Sequence, residues 1–496
     1  MRHTMRQTTS WPLRTIGLCF LLVLPILPGL NAVSFAEEVP AAKARPADVV
    51  IVGGGLAGLI TAYELQNRGI TAYILEADNR WGGRVVTAEY GNDMRAEYGL
   101  HELWKEDPIY EYAKKFKLAL AKSGEGLSSV VMDGKLYPFI QDDYKEFAAT
   151  VLSPEEMKEY TRWQQALKEL YDESDAGKIT PTLAPLLDMS FGKWMASFKL
   201  PPRVSEFIQL GIEPELGTGW DNVSALYGIT DAGMFAEGSE PSYHILNGNH
   251  ALVDAFVQAI HGPKTLGARV TRIVRTRAAD GSTECTVYYL KNNTVGSVKA
   301  KKVVVAVPYH LLHAIQFEPT LTDNQWKAVD TMIPGLYTCV HFIIDAEANK
   351  FLLVNGKNPF PIQTHGPLGV IYGVVEVPPP SQKQEVFSLL PFGDSTRTYL
   401  EPQDKLRESY LAELEKLWPG FSKYVHGTYF YGYHPAAIPA WPVGRSPLDA
   451  LSASLREENV GLYLAGDYLY SSGADGAVKS GRAAAEKVAT DLKKGK

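Results

Sequence analysis

ADVVIVGGGLAGL, residues 47–59, decides how this chain folds. Four consecutive apolar residues, Val49 to Val52, suit a strand covered on both faces, as in a parallel sheet. Leu56, Leu59, Ile60 and Tyr63 then follow helical spacing, and Gly69 supplies the stop. The run TAYIL (71–75) makes a second strand that ends in Glu76, completing a β-α-β unit. Gly53, Gly55 and Gly58 fall as G-x-G-x-x-G between strand and helix. The first glycine allows the tight turn, the second lets backbone approach a pyrophosphate, and the third lets helix and sheet pack closely. Leu56 and Ala57 open the helix, whose N-terminal N–H groups face the anion. Glu76 stands 18 residues past Gly58. A carboxylate at that strand end accepts hydrogen bonds from both ribose hydroxyls and argues against a 2′-phosphate.

Outward from this unit, 496 residues are too many for one ordinary core and suggest two domains or one large α/β unit with an inserted lobe. A composition 45% hydrophobic and 21% charged is that of a soluble globular protein, with no basic excess for nucleic acid. Residues 1–36 differ: Arg2, Arg6 and Arg14, and no acid, precede or enter the apolar run TIGLCFLLVLPILPGL, which closes on Ser34-Phe35-Ala36. Interrupted by Pro25 and Pro28, the run is short of the roughly 20 residues of a spanning helix. It reads as a cleaved secretory signal, leaving no stable membrane span and a periplasmic or secreted protein. No two arginines are adjacent in it, so twin-arginine export is not supported. Loss of its three arginines takes the net charge from −7 to −10. Cys19 leaves with the leader, and Cys285 and Cys339 alone form neither a disulfide framework nor a metal cluster, although a single bridge stays open.

Between about Gly99 and Ala236 the text turns to polar-faced helices and aromatics. Ser153-Pro154-Glu155-Glu156 carries a helix start with a capping box. Strand-like text returns at 268–276, at CTVYYL and at 301–308. Strands and helices then mix from Phe317 to about Pro439, before a last segment of buried strand, Gly/Ser-rich turn and small-residue helix. The expected class is α/β (α+β overall), with a discontinuous Rossmann-type nucleotide domain (47–98, 240–316, 440–496) interleaved with a mixed sheet-and-helix substrate domain (99–239, 317–439).

Glu76 is followed by Trp81-Gly82-Gly83-Arg84-Val85, where Gly83 and Arg84 suit a chain passing tightly over a diphosphate and neutralising it. The whole stretch from Asp48 to Val85 resembles the N-terminal signature of the flavin-containing amine oxidase superfamily. That superfamily includes monoamine and polyamine oxidases and, more distantly, protoporphyrinogen oxidases and phytoene-type desaturases. YHILNGNHALVDAF resembles the segment returning to the nucleotide domain, with Asn247 where the first Gly is usual. ARVTRIV resembles the strand whose backbone meets the adenine, which implies Val270 there. LYLAGDYLYSSGADGAVKSG resembles the C-terminal motif, which implies Gly466 and Asp467 at the pyrophosphate and ribityl chain. It also implies a helix start at Gly476-Ala477-Val478 aimed at the flavin pyrimidine edge. AEYGLHELW resembles the segment beside the isoalloxazine, implying Gly99 against the ring.

The resemblance therefore implies FAD, non-covalent because neither remaining Cys lies in a flavin motif. Departures from the pattern bear on the chemistry. Amine oxidases often place a Lys on a substrate-lobe strand to assist reaction with oxygen; here PGLYTCVHF offers Thr338. Of the two aromatics that flank the amine, the position before ADGA is Gly473, leaving Tyr468, Tyr470, Tyr433 or Trp441 as substitutes. His101 lies in a Gly-x-His run seen in phytoene-type desaturases. YHPAAIPAWPVGRS, with Pro435, Pro439 and Pro442, reads as an ordered loop past the site that carries Trp441 to a ring face. His101, Thr338 and Trp441 are thus the catalytic candidates.

The implied activity is an exported FAD-dependent oxidoreductase taking hydride from a C–H bond next to nitrogen of a small amine onto flavin N5, with oxygen or a periplasmic carrier as acceptor. Two alternatives stay open: dehydrogenation of an apolar polyene or porphyrinogen, and a flavin-binding protein without turnover.

Overall fold

A computed structural model describes residues 47–105, 107–124, 128–140, 144–233, 235, 242–374 and 382–495. The expected signal at 1–36 lies outside them.

Ala47–Val52 forms the inner strand of an eight-stranded sheet. Ala72–Leu75 pairs parallel on one side, Val50 opposite Tyr73, and Thr294–Val305 pairs parallel on the other, Val50 opposite Val303. Lys264–Thr265 extends the first side. Leu462–Leu464 adds parallel to Thr294–Val305; Thr283–Lys291 runs antiparallel to Thr294–Val305, Arg269–Arg277 antiparallel to Thr283–Lys291, and Gln316–Glu318 closes the far end parallel to Arg269–Arg277. Both faces of the inner strand are covered, as its unbroken apolar run requires. Val49 and Ile51 face a cluster with Leu59, Ile60, Val478 and Val488, whereas Val50 and Val52 face Val303, Val305, Leu462 and Leu464. Alternation of side chains along a strand produces that division. Each such fully buried aliphatic contributes about 1.5–3 kcal/mol.

The first cluster brings the ends of the described chain together. The helix Leu56–Gln66 packs on the last helix, Ala474–Lys493, so closely that Thr61 Oγ1 donates to Gly481 O at 3.3 Å.

A seven-stranded sheet runs in the order Val425–Ala440, Ile333–Asp345, Gln384–Leu390, Val370–Gly373, Ile362–Gln363, Ser129–Met132, Lys135–Tyr137. The helix Gln403–Leu417 covers it, with Leu414, Trp418 and Phe421 against Phe342 and Phe387. A second cluster of helices includes Pro154–Ser174, Pro202–Leu216 and Ala225–Asp231. Pro154–Ser174 opens on the capping box that its sequence predicts: Ser153 Oγ accepts from Glu156 N and Glu156 accepts from Ser153 N.

One expectation is corrected. The proline-rich run after Tyr433 is not a loop from its start but the end of the strand Val425–Ala440, with Pro439 opposite Pro334 and Ile438 opposite Gly335. This strand is at the edge of its sheet, where a proline's missing N–H deprives no neighbour of a ladder bond. Cys285 and Cys339 are both free and buried, so no bridge joins them. Among the described residues no helix is long and apolar enough to cross a membrane.

Candidate active site

The strand-to-helix turn has the geometry an anion needs. A Cβ on Gly58 would sit 2.1 Å from Gly53 O, so only glycine lets the turn close on the helix. Gly55 N-caps Leu56–Gln66 without a side-chain hydrogen bond. The opening N–H groups at Leu56, Ala57 and Gly58 therefore have no partner within the helix. A Cβ on Gly55 would meet nothing nearer than Gly83 Cα at 3.9 Å, which leaves a cradle over that N-terminus. Beside it the carboxylate of Glu76 accepts from Gly54 N (2.6 Å) and Asp78 N (2.7 Å), held at the strand end with lone pairs to spare for a diol. Ala268 N donates to Glu76 O, which brings the strand carrying Val270 alongside. These residues fit the adenosine diphosphate half of FAD.

Arg84 and Asp467 meet directly, Nη1 to Oδ2 at 2.5 Å and Nη2 to Oδ1 at 2.8 Å, and Arg84 also donates to Ala437 O at 2.6 Å. Gly466 N donates to Ser480 Oγ at 2.9 Å, which seats the turn before Asp467 on the last helix. That helix begins at Ala474, two residues before the expected start, behind Gly473 with no side-chain cap. Ala477 lies at its opening. Val478 is fully buried in the core, so only its backbone can serve a cofactor.

The segment beyond Arg84 is fixed from two sides. A Cβ on Gly99 would fall 1.7 Å from Arg84 O, and Leu100 N donates to that same carbonyl. Asn249, fully buried, donates from Nδ2 to Leu100 O (2.8 Å) and His101 O (3.0 Å) while its Oδ1 accepts from Ile245 N. Glu97, in turn, accepts from Asn249 N (2.9 Å) and from Thr87 Oγ1, and burial pushes its pKa up to about 7. Sequence reading missed Asn249, although it stands within the quoted run 243–256.

His101 places Nδ1 2.6 Å from Gly99 O and stacks on Tyr372, centroids 4.2 Å apart at 18°. A carbonyl only accepts, so Nδ1 carries the proton and Nε2 the lone pair. Burial pushes the His101 pKa down to about 4, leaving the ring neutral at pH 7. Thr338 lies in the strand Ile333–Asp345, its N bonded to Pro391 O and its buried hydroxyl without a partner. Trp441 corrects the ring-face expectation. It is fully buried, its indole N–H donates to Ser452 Oγ (3.1 Å), and its ring packs on Tyr227. It therefore belongs to the core. Tyr468 is likewise fully buried, and Tyr470 lies against Arg456. The side chain of Tyr433 lies outside the described residues.

Near His101 the structure gathers groups that no motif announced. Glu102, Glu215 and Asp231 are partly exposed yet deeply set, as groups lining a cleft are. Glu215 is pushed up to about 8 by burial, then by the Asp231 and Glu102 carboxylates. Tyr337, on the same strand as Thr338, donates to Pro214 O and Glu215 O. Glu215 and Asp231 sit in helices of ordinary composition, so spacing gave no signal of them.

A family model described as flavin containing amine oxidoreductase matches residues 56–489. Polyamine oxidase 5 of Oryza sativa subsp. japonica is 26% identical over 313 residues, 59% of this chain and 57% of the rice protein, so the match spans less than two thirds of that relative's length. The 15-cis-phytoene desaturase of Glycine max is 24% identical over 496 residues, 90% of this chain and 80% of its own. A solved structure of wild-type putrescine oxidase bound to putrescine superposes with a TM-score of 0.76 at 19% identity, covering 91% of this chain and 99% of that one.

Proposed function

The chain belongs to the flavin-containing amine oxidoreductase family and is an FAD-dependent oxidoreductase; from that premise we propose that it oxidises a small amine at the carbon next to nitrogen, after export to the periplasm or beyond. The observation that carries the amine reading is the surface past Gly99. Stacked His101 and Tyr372, with Tyr337 beside Glu215, give it aromatic faces and polar tips. A polyene would offer no donor to the His101 Nε2 lone pair, whereas an amine can donate to it.

When bound, FAD takes up the two electrons and the hydrogen that leave the substrate carbon. This chain's residues provide the rest. Glu76 and the uncapped start at Leu56 hold the adenosine diphosphate half. The Arg84–Asp467 pair fixes the passage toward the ring. Gly99, without a side chain, lets its backbone close on Arg84 O beside that passage. The amine must give up its electrons as the free base, and a deep setting that disfavours ions assists deprotonation at the reacting nitrogen. Neutral His101 adds no positive charge to oppose the positive charge that develops on the substrate.

The Gly99-Leu100-His101 run and the extent of the match to the soybean desaturase favour a second reading, dehydrogenation of an apolar polyene. Anaerobic bleaching of the purified flavoprotein separates the two. Bleaching by amines supports the first, bleaching only by lipophilic polyenes replaces it with the second, and no bleaching by either leaves a flavin carrier without turnover.

A further inference from the structure

Five consecutive carbonyls, from Glu97 to His101, each accept from a side chain. His341 Nε2 lies 3.2 Å from Glu97 O, Cys339 Sγ donates to Tyr98 O at 3.4 Å, His101 Nδ1 serves Gly99 O, and Asn249 Nδ2 serves both Leu100 O and His101 O. The backbone N–H groups of Tyr98 and Leu100 go to other partners, Val86 O and Arg84 O. The run is therefore a seam. The stretch Arg84–Val86 holds it through backbone, and the seven-stranded sheet holds it through side chains at three points: His341, Cys339 and the stack of Tyr372 on His101.

Of these three, His341 is the most fully determined. It is fully buried in the strand Ile333–Asp345, and its ring stacks on Tyr98 with centroids 4.4 Å apart at 9°. A carbonyl only accepts, so Nε2 carries the proton to Glu97 O and Nδ1 holds the lone pair. Tyr90 then donates its hydroxyl to Nδ1 at 2.6 Å and accepts from Tyr98 OH at 2.6 Å. Each bond of the chain from Tyr98 through Tyr90 and His341 to Glu97 O thus has one direction, and burial, which pushes the His341 pKa down to about 3, keeps a second proton off the ring. A buried network with every member satisfied is rigid. The same strand carries Tyr337, which donates to Glu215 O, four residues before His341. A shift of His341 against Glu97 therefore moves one wall of the cleft against the run that carries Gly99.

We propose that His341 is a positioning residue: through its hydrogen bond to Glu97 O it sets how the substrate sheet stands against the Glu97–His101 run, and so how closely the substrate carbon approaches the flavin. The proposal rests on the flavin lying beside Gly99, as the family resemblance implies, and not on which substrate is oxidised. His341 touches neither partner of the reaction. Its effect passes through the backbone it holds, where a small displacement of the reacting atoms is costly in rate.

The test compares His341→Phe, which keeps a ring against Tyr98 but loses both hydrogen bonds, with His341→Gln, whose amide can still donate to Glu97 O. In the apoprotein, hydrogen exchange at Tyr98 and Leu100 should run about tenfold faster in the Phe variant and return toward wild type in the Gln variant. In the holoenzyme, visible circular dichroism of the bound flavin should follow the same order. Flavin reduction at saturating substrate should slow by about tenfold in the Phe variant, with little change in the half-saturating concentration. Tyr90→Phe, which unseats His341 without touching its strand, should shift each readout the same way by less, and it carries the test if His341→Phe does not fold. Wild-type exchange and dichroism in His341→Phe, or in Tyr90→Phe standing in for it, overturn the proposal, and so does a slowed reduction that His341→Gln fails to rescue. A half-saturating concentration that rises as much as the rate falls also overturns it, assigning His341 to the shape of the substrate pocket. If no amine bleaches the flavin the amine reading falls, while exchange and dichroism, which need no turnover, still decide the role of His341.

Discussion

Arg84 and Asp467, 383 residues apart, form a two-pronged ion pair at 2.5 and 2.8 Å. It clips the Gly-Gly-Arg turn onto the C-terminal motif, and Ala437 O takes a third hydrogen bond from the same guanidinium. Asp467 is nearly inaccessible, while a third of the Arg84 side chain remains exposed. Asp467→Asn keeps the shape and removes the charge. Because water can still reach Arg84, the loss should be below that of a fully buried pair, about 2 kcal/mol. Urea unfolding of the apoprotein measures it; an unchanged midpoint would show that the pair does not hold the two motifs together.

Gly99→Ala probes the close approach behind the segment at His101. With Arg84 O 1.7 Å from the new Cβ, either that carbonyl or the segment has to shift. Overpacking of this kind costs about 1–3 kcal/mol. Purified Gly99→Ala should carry substoichiometric FAD, read from its absorbance per chain, and full occupancy would sink the assignment of this backbone to the flavin passage.

Much of the fold was legible because it is local. The unbroken apolar run at Val49, the glycine spacing through Gly58 and the capping box at Ser153 each specify an element within a few residues, and each forms. The proline-rich run misled because Pro435 and Pro439 look the same in a loop and on a sheet edge; only the partner strand distinguishes them. Trp441 misled for a related reason, since its distance from other motifs says nothing about Ser452 or Tyr227 filling the space around it. Glu102, Glu215 and Asp231 were invisible because they are ordinary helix and loop residues until tertiary packing brings them together.

Stability should fall as pH rises above neutrality. Burial raises Glu97 to about 7 and Glu385 to about 8, and burial with neighbouring acids raises Glu215 to about 8. A carboxyl with a raised folded pKa contributes stability that is full below its ordinary pKa of 4.5 and is lost as pH passes through the folded value. The depressed histidines, His101 near 4 and His341 near 3, act in the opposite direction, but only below their ordinary 6.5. Between pH 6.5 and 8.5 the carboxyls therefore govern, and Tm should drop by roughly a few degrees. Glu385→Gln should flatten the slope, whereas a Tm that climbs over this window would contradict the burial of these acids.

Asn249→Leu keeps approximate volume and removes a hub. The side chain accepts one hydrogen bond and donates two, to Leu100 O and His101 O. Leaving buried partners unsatisfied costs about 1–3 kcal/mol each, partly relieved where water enters. Loss of both donations should loosen the segment that carries His101, so the rate of flavin reduction should fall more than FAD content does. Equal losses in both would assign Asn249 to folding alone.

How electrons leave is tested at Thr338. The family resemblance implies Thr338 where many amine oxidases carry the lysine that assists oxygen, and its buried hydroxyl has no partner. Without a cation to stabilise the negative charge that develops on oxygen, reoxidation of the reduced enzyme by air should be slow and a soluble one-electron carrier should compete well. Thr338→Lys should speed the oxygen reaction by about tenfold or more, if the ammonium stays charged there. Thr338→Val separates that role from packing: removal of an orphan hydroxyl leaves the apoprotein as stable as before or about 1 kcal/mol more so. If the valine variant instead loses stability only with FAD bound, the hydroxyl serves the cofactor. Rapid air oxidation of the wild type, measured by stopped-flow after anaerobic reduction, would remove Thr338 as the reason for any preference for a carrier.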